Sequence, residues 1–161
     1  MPELVEPTVR LHAAWLEAHR EWGPGRHEDG FGLQDGDEVE SGAGFAAWTA
    51  RLAASPALFR WVVEDGRVQG GIALRQQPDG SAPPMGHLGY GIRPGARRRG
   101  LASWALGAML GEARELGLER VLVLCADGNE ASARTIESQG GVLDDVRKGA
   151  RRYWILLGAK R

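Results

Sequence analysis

A mixed α/β sheet with at least one parallel crossover is the fold class that this 161-residue sequence predicts. Three observations carry it. The first third shows apolar residues at helical spacing, with no strand-like alternation after residue 6. A hairpin signal then opens at Leu58, where two strand-like runs, Phe59 to Glu64 and Val68 to Gln76, flank Asp65-Gly66. Finally, a strand, a long helix, the apolar run VLVLC and a second helix follow one another, which is the grammar of a parallel crossover.

Residues 3 to 6 read as a short strand closed by Pro7, and Val9 to Trp22 as an amphipathic helix carrying Leu11, Trp15, Ala18 and Trp22 on one face. Gly23-Pro24-Gly25 ends it. Residues 26 to 44 have neither period and read as a loop rich in carboxylates: Glu28, Asp29, Asp35, Asp37, Glu38 and Glu40. Phe45 to Ala53 forms a second helix, ended by Ser55-Pro56. Strands follow at Phe59 to Glu64, Val68 to Gln76 and His87 to Arg93. A helix spans Leu101 to Leu116, with Gly117 as its stop. The buried strand at 121 to 125, a helix from Asn129 to Gln139, and strands near Val142 to Val146 and Arg152 to Leu157 complete the chain.

The composition narrows the function. A formal net charge of −1 argues against a nucleic-acid binder that works by bulk positive charge. The lone cysteine, Cys125, excludes a disulfide framework and a cysteine-based zinc cage, and reads as buried filler. His12 and His19 lie two helical turns apart, which argues against a metal site. The longest uncharged, largely apolar stretch, Leu101 to Gly111, is too short to span a bilayer. The acidic, proline-broken MPELVEP start is unlike a secretory or transit peptide. One cytoplasmic domain, without metal, membrane or nucleic-acid partner, is the expectation. Oligomeric state is left open.

The segment YGIRPGARRRGLASWAL, residues 90 to 106, carries the chemistry. A strand ends, Pro94-Gly95 turns the chain, and Arg97, Arg98 and Arg99 stand immediately before a helix. Cations at a helix N-terminus oppose its macrodipole by about 0.3–1 kcal/mol each. No Ser, Thr, Asp or Asn stands where an N-cap is expected. A bound anion resolves both oddities: backbone N–H groups of Arg98, Arg99, Gly100, Leu101, Ala102 and Ser103 grip its oxygens while the arginines add charge. A solvated basic turn is the competing reading. Neither GxxxxGK[ST] nor GxGxxG is present, so neither nucleotide fingerprint applies.

Arg97, Gly100 and Ala102 form R-x-x-G-x-A between a strand and a long helix, and this resembles the acetyl-CoA-binding motif Q/R-x-x-G-x-G/A of the GNAT superfamily of N-acetyltransferases. GHLGYGIRP is similar to that family's fourth strand and VLVLCA to its fifth. NEASARTIESQGG is similar to the following helix, with Asn129 and Gly140 eleven residues apart. With ADGNEAS, GGVL and RYWI, the chain resembles a bacterial subgroup of acetyltransferases with unassigned substrates, over Phe59 to Leu157. The resemblance implies a single GNAT-like domain over residues 1–161: a central twisted mixed sheet of six to seven strands flanked by about four helices. Within it, residues 1–57 supply acceptor-side helices and loop, and residues 58–161 the acetyl-CoA-binding core.

It further implies an acetyl-CoA-dependent N-acetyltransferase in which a primary amine attacks the thioester directly. The fourth and fifth strands part around the coenzyme. Backbone groups of Gly91, Ile92 and Arg93 pair with the pantetheine, assisted by Asn129 and Ser132, and the Ile92 N–H receives the oxyanion. The pyrophosphate rests on the amides from Arg98 to Ser103, beside Arg97. His87 stands near the family's glutamate position and is either the general base or a histidine bonded within the sheet. Asn129 either meets the pantetheine or caps its own helix. The family's proton-donating tyrosine falls on Ile136, which cannot donate; Ser132, Thr135, Tyr90 and Tyr153 are the stand-ins. A non-catalytic acyl-CoA-binding or sensing protein of the same fold is the alternative. Trp15, Trp22 and Trp48 read as core by spacing. The family's acceptor wall makes Trp22 and the acidic loop 28 to 40 candidates for contact with a small-molecule or peptide amine, and the six carboxylates point toward a cationic one.

Overall fold

In the computed structural model, residues 1–23, 29–77 and 79–158 are described. The seven strands are β1 (Glu3–Val5), β2 (Leu58–Glu64), β3 (Arg67–Leu74), β4 (Leu88–Ile92), β5 (Arg120–Ala126), β6 (Val142–Arg147) and β7 (Ala150–Leu156). The four α-helices are α1 (His12–Trp22), α2 (Gly42–Ala54), α3 (Leu101–Glu115) and α4 (Glu130–Ser138). The strands form one mixed sheet in the order β1-β2-β3-β4-β5-β7-β6. Every strand and helix expected from the sequence is present.

The differences lie at element ends. The first helical segment opens as a 3-10 turn, Val9–Leu11, capped by the Thr8 side chain. Helix α2 starts three residues before Phe45 because the Ser41 hydroxyl accepts from the Gly44 amide at 3.0 Å. The expected loop contains a further 3-10 turn, Asp29–Phe31.

Two cores sandwich the sheet. Trp15, Phe31, Phe45, Trp48, Trp61 and Val63 pack beneath α1 and α2. On the opposite face Val62, Ile72, Leu88, Leu106, Met109 and Ile136 pack beneath α3 and α4. The alternation Trp61-Val62-Val63 sends neighbouring side chains of β2 to opposite cores, as strand geometry requires.

Strand β4 pairs with β3 along its full length, from Leu74↔Leu88 to Gly70↔Ile92, and β5 pairs fully with β7. Between β4 and β5, which run parallel, the register consists of the single pair Leu88↔Val123. Beyond it each strand is held by its outer neighbour, and the two inner edges part.

Candidate functional site

Backbone direction along the parted edges follows from the outer ladders. The Arg93 amide donates to the Gln69 carbonyl at 2.7 Å, so odd-numbered residues of β4 turn their polar groups toward β3. Gly91 and Arg93, expected to pair with a ligand, therefore spend their backbone groups on the sheet. Tyr90 and Ile92 alternate with them and face the gap. The Ile92 carbonyl already accepts from Arg97 Nε at 2.8 Å, which leaves its N–H directed at the parted edge. On the other strand the Asp127 amide donates to the Gly149 carbonyl, so Leu124 and Ala126 face the gap.

His87 sits where the strands part. Its amide donates to the Leu122 carbonyl at 2.7 Å, and its Nδ1 accepts from the Leu122 amide at 2.9 Å. The imidazole thus supplies the acceptor that a further β4 residue would give in a continuous parallel ladder. Burial, aided by the Arg120 charge, holds its pKa below the usual histidine range. With Nδ1 accepting, the neutral ring carries its proton on Nε2 and has no free lone pair for an amine. Of the two readings of His87, the geometry matches the histidine bonded within the sheet.

A cavity of about 730 Å³ occupies the parting. It is lined by Leu88, Gly89 and Tyr90 of β4, by Leu124, Cys125 and Ala126 of β5, by Asn129 and Ser132, and by the β6–β7 turn. Tyr90 Oη and Ser132 Oγ meet across it at 2.8 Å. Burial raises the Tyr90 phenol above its ordinary value, and Ser132 opposes this in part. Ile136 is fully buried in the core beneath α4. Tyr153 is buried as well, with its hydroxyl donating to Glu137 at 2.8 Å, and neither it nor Thr135 lines the cavity. Among the four stand-ins, only the Tyr90–Ser132 pair is at the cleft. Asn129 Oδ1 accepts from the Ser132 amide at 3.1 Å, so its side chain caps α4. Burial raises the Cys125 pKa, which keeps it a thiol.

Beside the gap, α3 begins without a side-chain cap and without an acidic residue in its first turn. Arg98 and Gly100 both have positive φ, 66° and 77°. No atom lies within 4 Å of where a Gly100 Cβ would stand, so the approach to these amides is open. The three arginines are not equivalent. Arg97 reaches back to Ile92, and Arg99 pairs with Glu64 at 2.5 Å. No ion pair engages Arg98 among the described residues, and a non-glycine residue in the left-handed region there is strained. Arg93 is buried rather than facing a ligand. Its guanidinium bonds Glu17 at 2.8 Å and Glu21 at 2.9 Å, and Glu21 also accepts from the Gly95 amide. It ties α1 to the end of β4.

Three carboxylates of the acidic loop are engaged by neighbouring groups of the protein. Asp37 pairs with Arg51 at 2.6 Å, Glu40 with Arg20 at 2.8 Å, and Glu38 accepts from the Ser41 and Glu40 amides. Glu28 and the Asp29 side chain lie outside the described residues. Trp22 is half-buried against Phe31 at 5.1 Å, and Gly30 packs on the Gly71 backbone, where a Cβ would meet the carbonyl oxygen at 2.1 Å. His12 Nε2 bonds the Val39 carbonyl at 2.7 Å, and His19 stacks on Trp15. Among the described residues no group of three or more potential metal ligands converges, and no helix is long and apolar enough to cross a membrane.

The family model for the acetyltransferase (GNAT) domain matches residues 6–142. Solved structures share the architecture. The ribosomal-protein-S5-alanine acetyltransferase from Vibrio fischeri superposes with TM-score 0.72 at 14% identity, covering 99% of this chain and 94% of that one. An acetyltransferase from Salmonella typhimurium, described as modifying the N-terminal serine of a 50S ribosomal subunit protein, gives 0.68 at 15% identity, covering 96% and 94%. A phosphinothricin acetyltransferase from Sinorhizobium meliloti in complex with acetyl-CoA gives 0.63 at 16% identity, covering 98% and 89%. No curated protein sequence matches the chain.

Proposed function

Since the chain belongs to the GNAT acetyltransferase family, we propose that it moves an acetyl group from acetyl-CoA to a primary amine within the β4–β5 cleft. The observation that carries this reading is the uncapped, arginine-preceded start of α3 beside two parallel strands that share one register pair. An anionic diphosphate answers the free amides from Arg98 to Ser103 and the Arg98 charge. The extended pantetheine arm answers the gap-facing backbone of Tyr90 and Ile92 on one side and of Leu124 and Ala126 on the other. Solved structures of this fold include one in complex with acetyl-CoA, which supports the same coenzyme here.

The chemistry follows from placing the thioester between the strand edges. The amine nitrogen bonds to the carbonyl carbon, and the oxyanion that forms takes the Ile92 N–H. As the C–S bond breaks, the thiolate takes a proton from Tyr90 Oη, and Ser132 Oγ relays a replacement from solvent. The proton lost by the amine goes to water, because the His87 lone pair is committed to Leu122. Together Tyr90 and Ser132 take the part that Ile136 cannot. Their meeting at the cavity favours an enzyme over a non-catalytic acyl-CoA sensor.

Thiol release tests the reading: acetyl-CoA incubated with amino-acid, peptide and polyamine acceptors releases free CoA with at least one of them. Tight coenzyme binding with no release across the panel would favour the sensor.

A further inference from the structure

The rim of the same cavity carries a charge pattern that the coenzyme site does not use. Arg147, Lys148 and Arg152 line it, and no carboxylate does. Arg147 and Arg152 share a single carboxylate, Asp145, the latter at 3.0 Å. Lys148 has no carboxylate partner among the described residues, so three cations against one anion leave the rim positive.

The turn that presents Lys148 is itself unusual. Lys148 and Gly149 have φ of 52° and 78°, the pattern of a two-residue type I′ hairpin. The β2–β3 hairpin uses the same geometry, with Asp65 and Gly66 at 54° and 76°. Asp-Gly is the favoured choice for such a turn because aspartate tolerates the left-handed region. A lysine there forgoes that preference and puts a cationic residue among those that line the cavity. The acidic loop, by contrast, spends Asp37, Glu38 and Glu40 on internal bonds.

We infer that the acceptor is a primary amine bearing an acidic group close to the amine, which the Arg147–Lys148 turn receives. This rests on the cleft being the acetyl-transfer site. It reverses the cationic preference expected from the acidic loop.

Lys148→Asn and Lys148→Asp test it, because both residues suit a type I′ turn and so protect the fold. Acetyl transfer is measured on Ala-Glu, Ala-Gln and Ala-Arg amides, of which the first two are near-isosteric and differ in charge, while the third carries the opposite charge. The wild type favours Ala-Glu amide in kcat/KM. Lys148→Asn lowers the Ala-Glu to Ala-Gln ratio by about two- to fivefold, and Lys148→Asp shifts preference toward Ala-Arg amide. No turnover of Ala-Glu amide, no preference for it, or an unchanged ratio in both variants would overturn the inference. So would a loss of acetyl-CoA affinity in Lys148→Asn that matched the acceptor effect, since the charge would then serve the coenzyme phosphates. Failure of the coenzyme to stabilise the wild type is read separately, and would reject the transfer site itself.

Discussion

The Leu122 amide donates to His87 Nδ1 at 2.9 Å, at the point where β4 and β5 part. A side chain thus closes the last rung of a parallel ladder. The pair marks the floor of the cleft, and it carries a prediction about acid stability.

In the folded protein His87 has a lowered pKa, whereas in the unfolded chain it titrates near the ordinary value of about 6.5. As pH falls below about 6.5 the unfolded state binds the proton first, so the stabilisation from neutral His87 is present above that pH and is lost on acidification. His87→Gln removes this titration while offering a side-chain oxygen to Leu122. The melting temperature of the wild type is expected to fall more steeply between pH 7.5 and 5.5 than that of His87→Gln. Because the lone pair is committed, the pH dependence of kcat/KM is expected to match in the two proteins. An altered rate profile would restore His87 as the base.

The Tyr90–Ser132 contact makes a kinetic prediction. Tyr90→Phe is expected to lower kcat by about 10²-fold, the lower range for a positioned acid, with little change in acetyl-CoA affinity. Ser132→Ala is expected to have a smaller effect of the same kind. Because burial raises the Tyr90 pKa above its ordinary value, the phenol stays protonated at neutral and mildly alkaline pH, and no loss of kcat from its ionisation is expected there. Steady-state rates across pH, set beside coenzyme titrations, check both points. A Tyr90→Phe variant with wild-type kcat would remove Tyr90 from the mechanism.

Arg98 stands in the left-handed region at φ 66°, where a side chain costs about 1–2 kcal/mol. Glycine relieves that strain but adds unfolded-chain entropy of about 0.4–1 kcal/mol. Arg98→Gly is therefore expected to leave the ligand-free protein equally or slightly more stable while weakening acetyl-CoA. Opposite signs in melting temperature and coenzyme affinity are the signature of a residue kept for its ligand. Loss of both would make Arg98 structural.

Much of this arrangement is legible in the sequence, and what is not follows a pattern. The helices and strands are readable because their periods are local, as at Leu11–Trp15–Ala18–Trp22 and in VLVLC. The capless start of α3 is readable because a missing Ser or Asp before Gly100 is a local fact. Long-range pairing is not readable. Nothing near Arg93 announces that Glu17 and Glu21 bury its charge, and nothing near His87 announces Leu122. The acidic loop reads as an exposed cluster until Arg51, Arg20 and Ser41 come to meet it. Strand parity explains the remaining difference. Which of Gly91, Ile92 and Arg93 faces the gap depends on the register with β3, and a one-residue slip would reverse it. Tyr90, a neighbour of that trio, was identifiable as a titratable stand-in, but its contact with Ser132 needed α4 to dock.

The coenzyme site at the start of α3 is tested most directly by melting temperature with and without acetyl-CoA, in the wild type and in Gly100→Trp. At a ligand concentration about 100 times the dissociation constant, binding stabilises by about 2.7 kcal/mol, which is a rise of several degrees. The wild type is expected to show that rise. Gly100→Trp, which fills the open approach to the amides, is expected to lose it while still giving a cooperative transition of its own. A wild type that does not respond to saturating acetyl-CoA, or a Gly100→Trp variant that responds in full, would contradict the account.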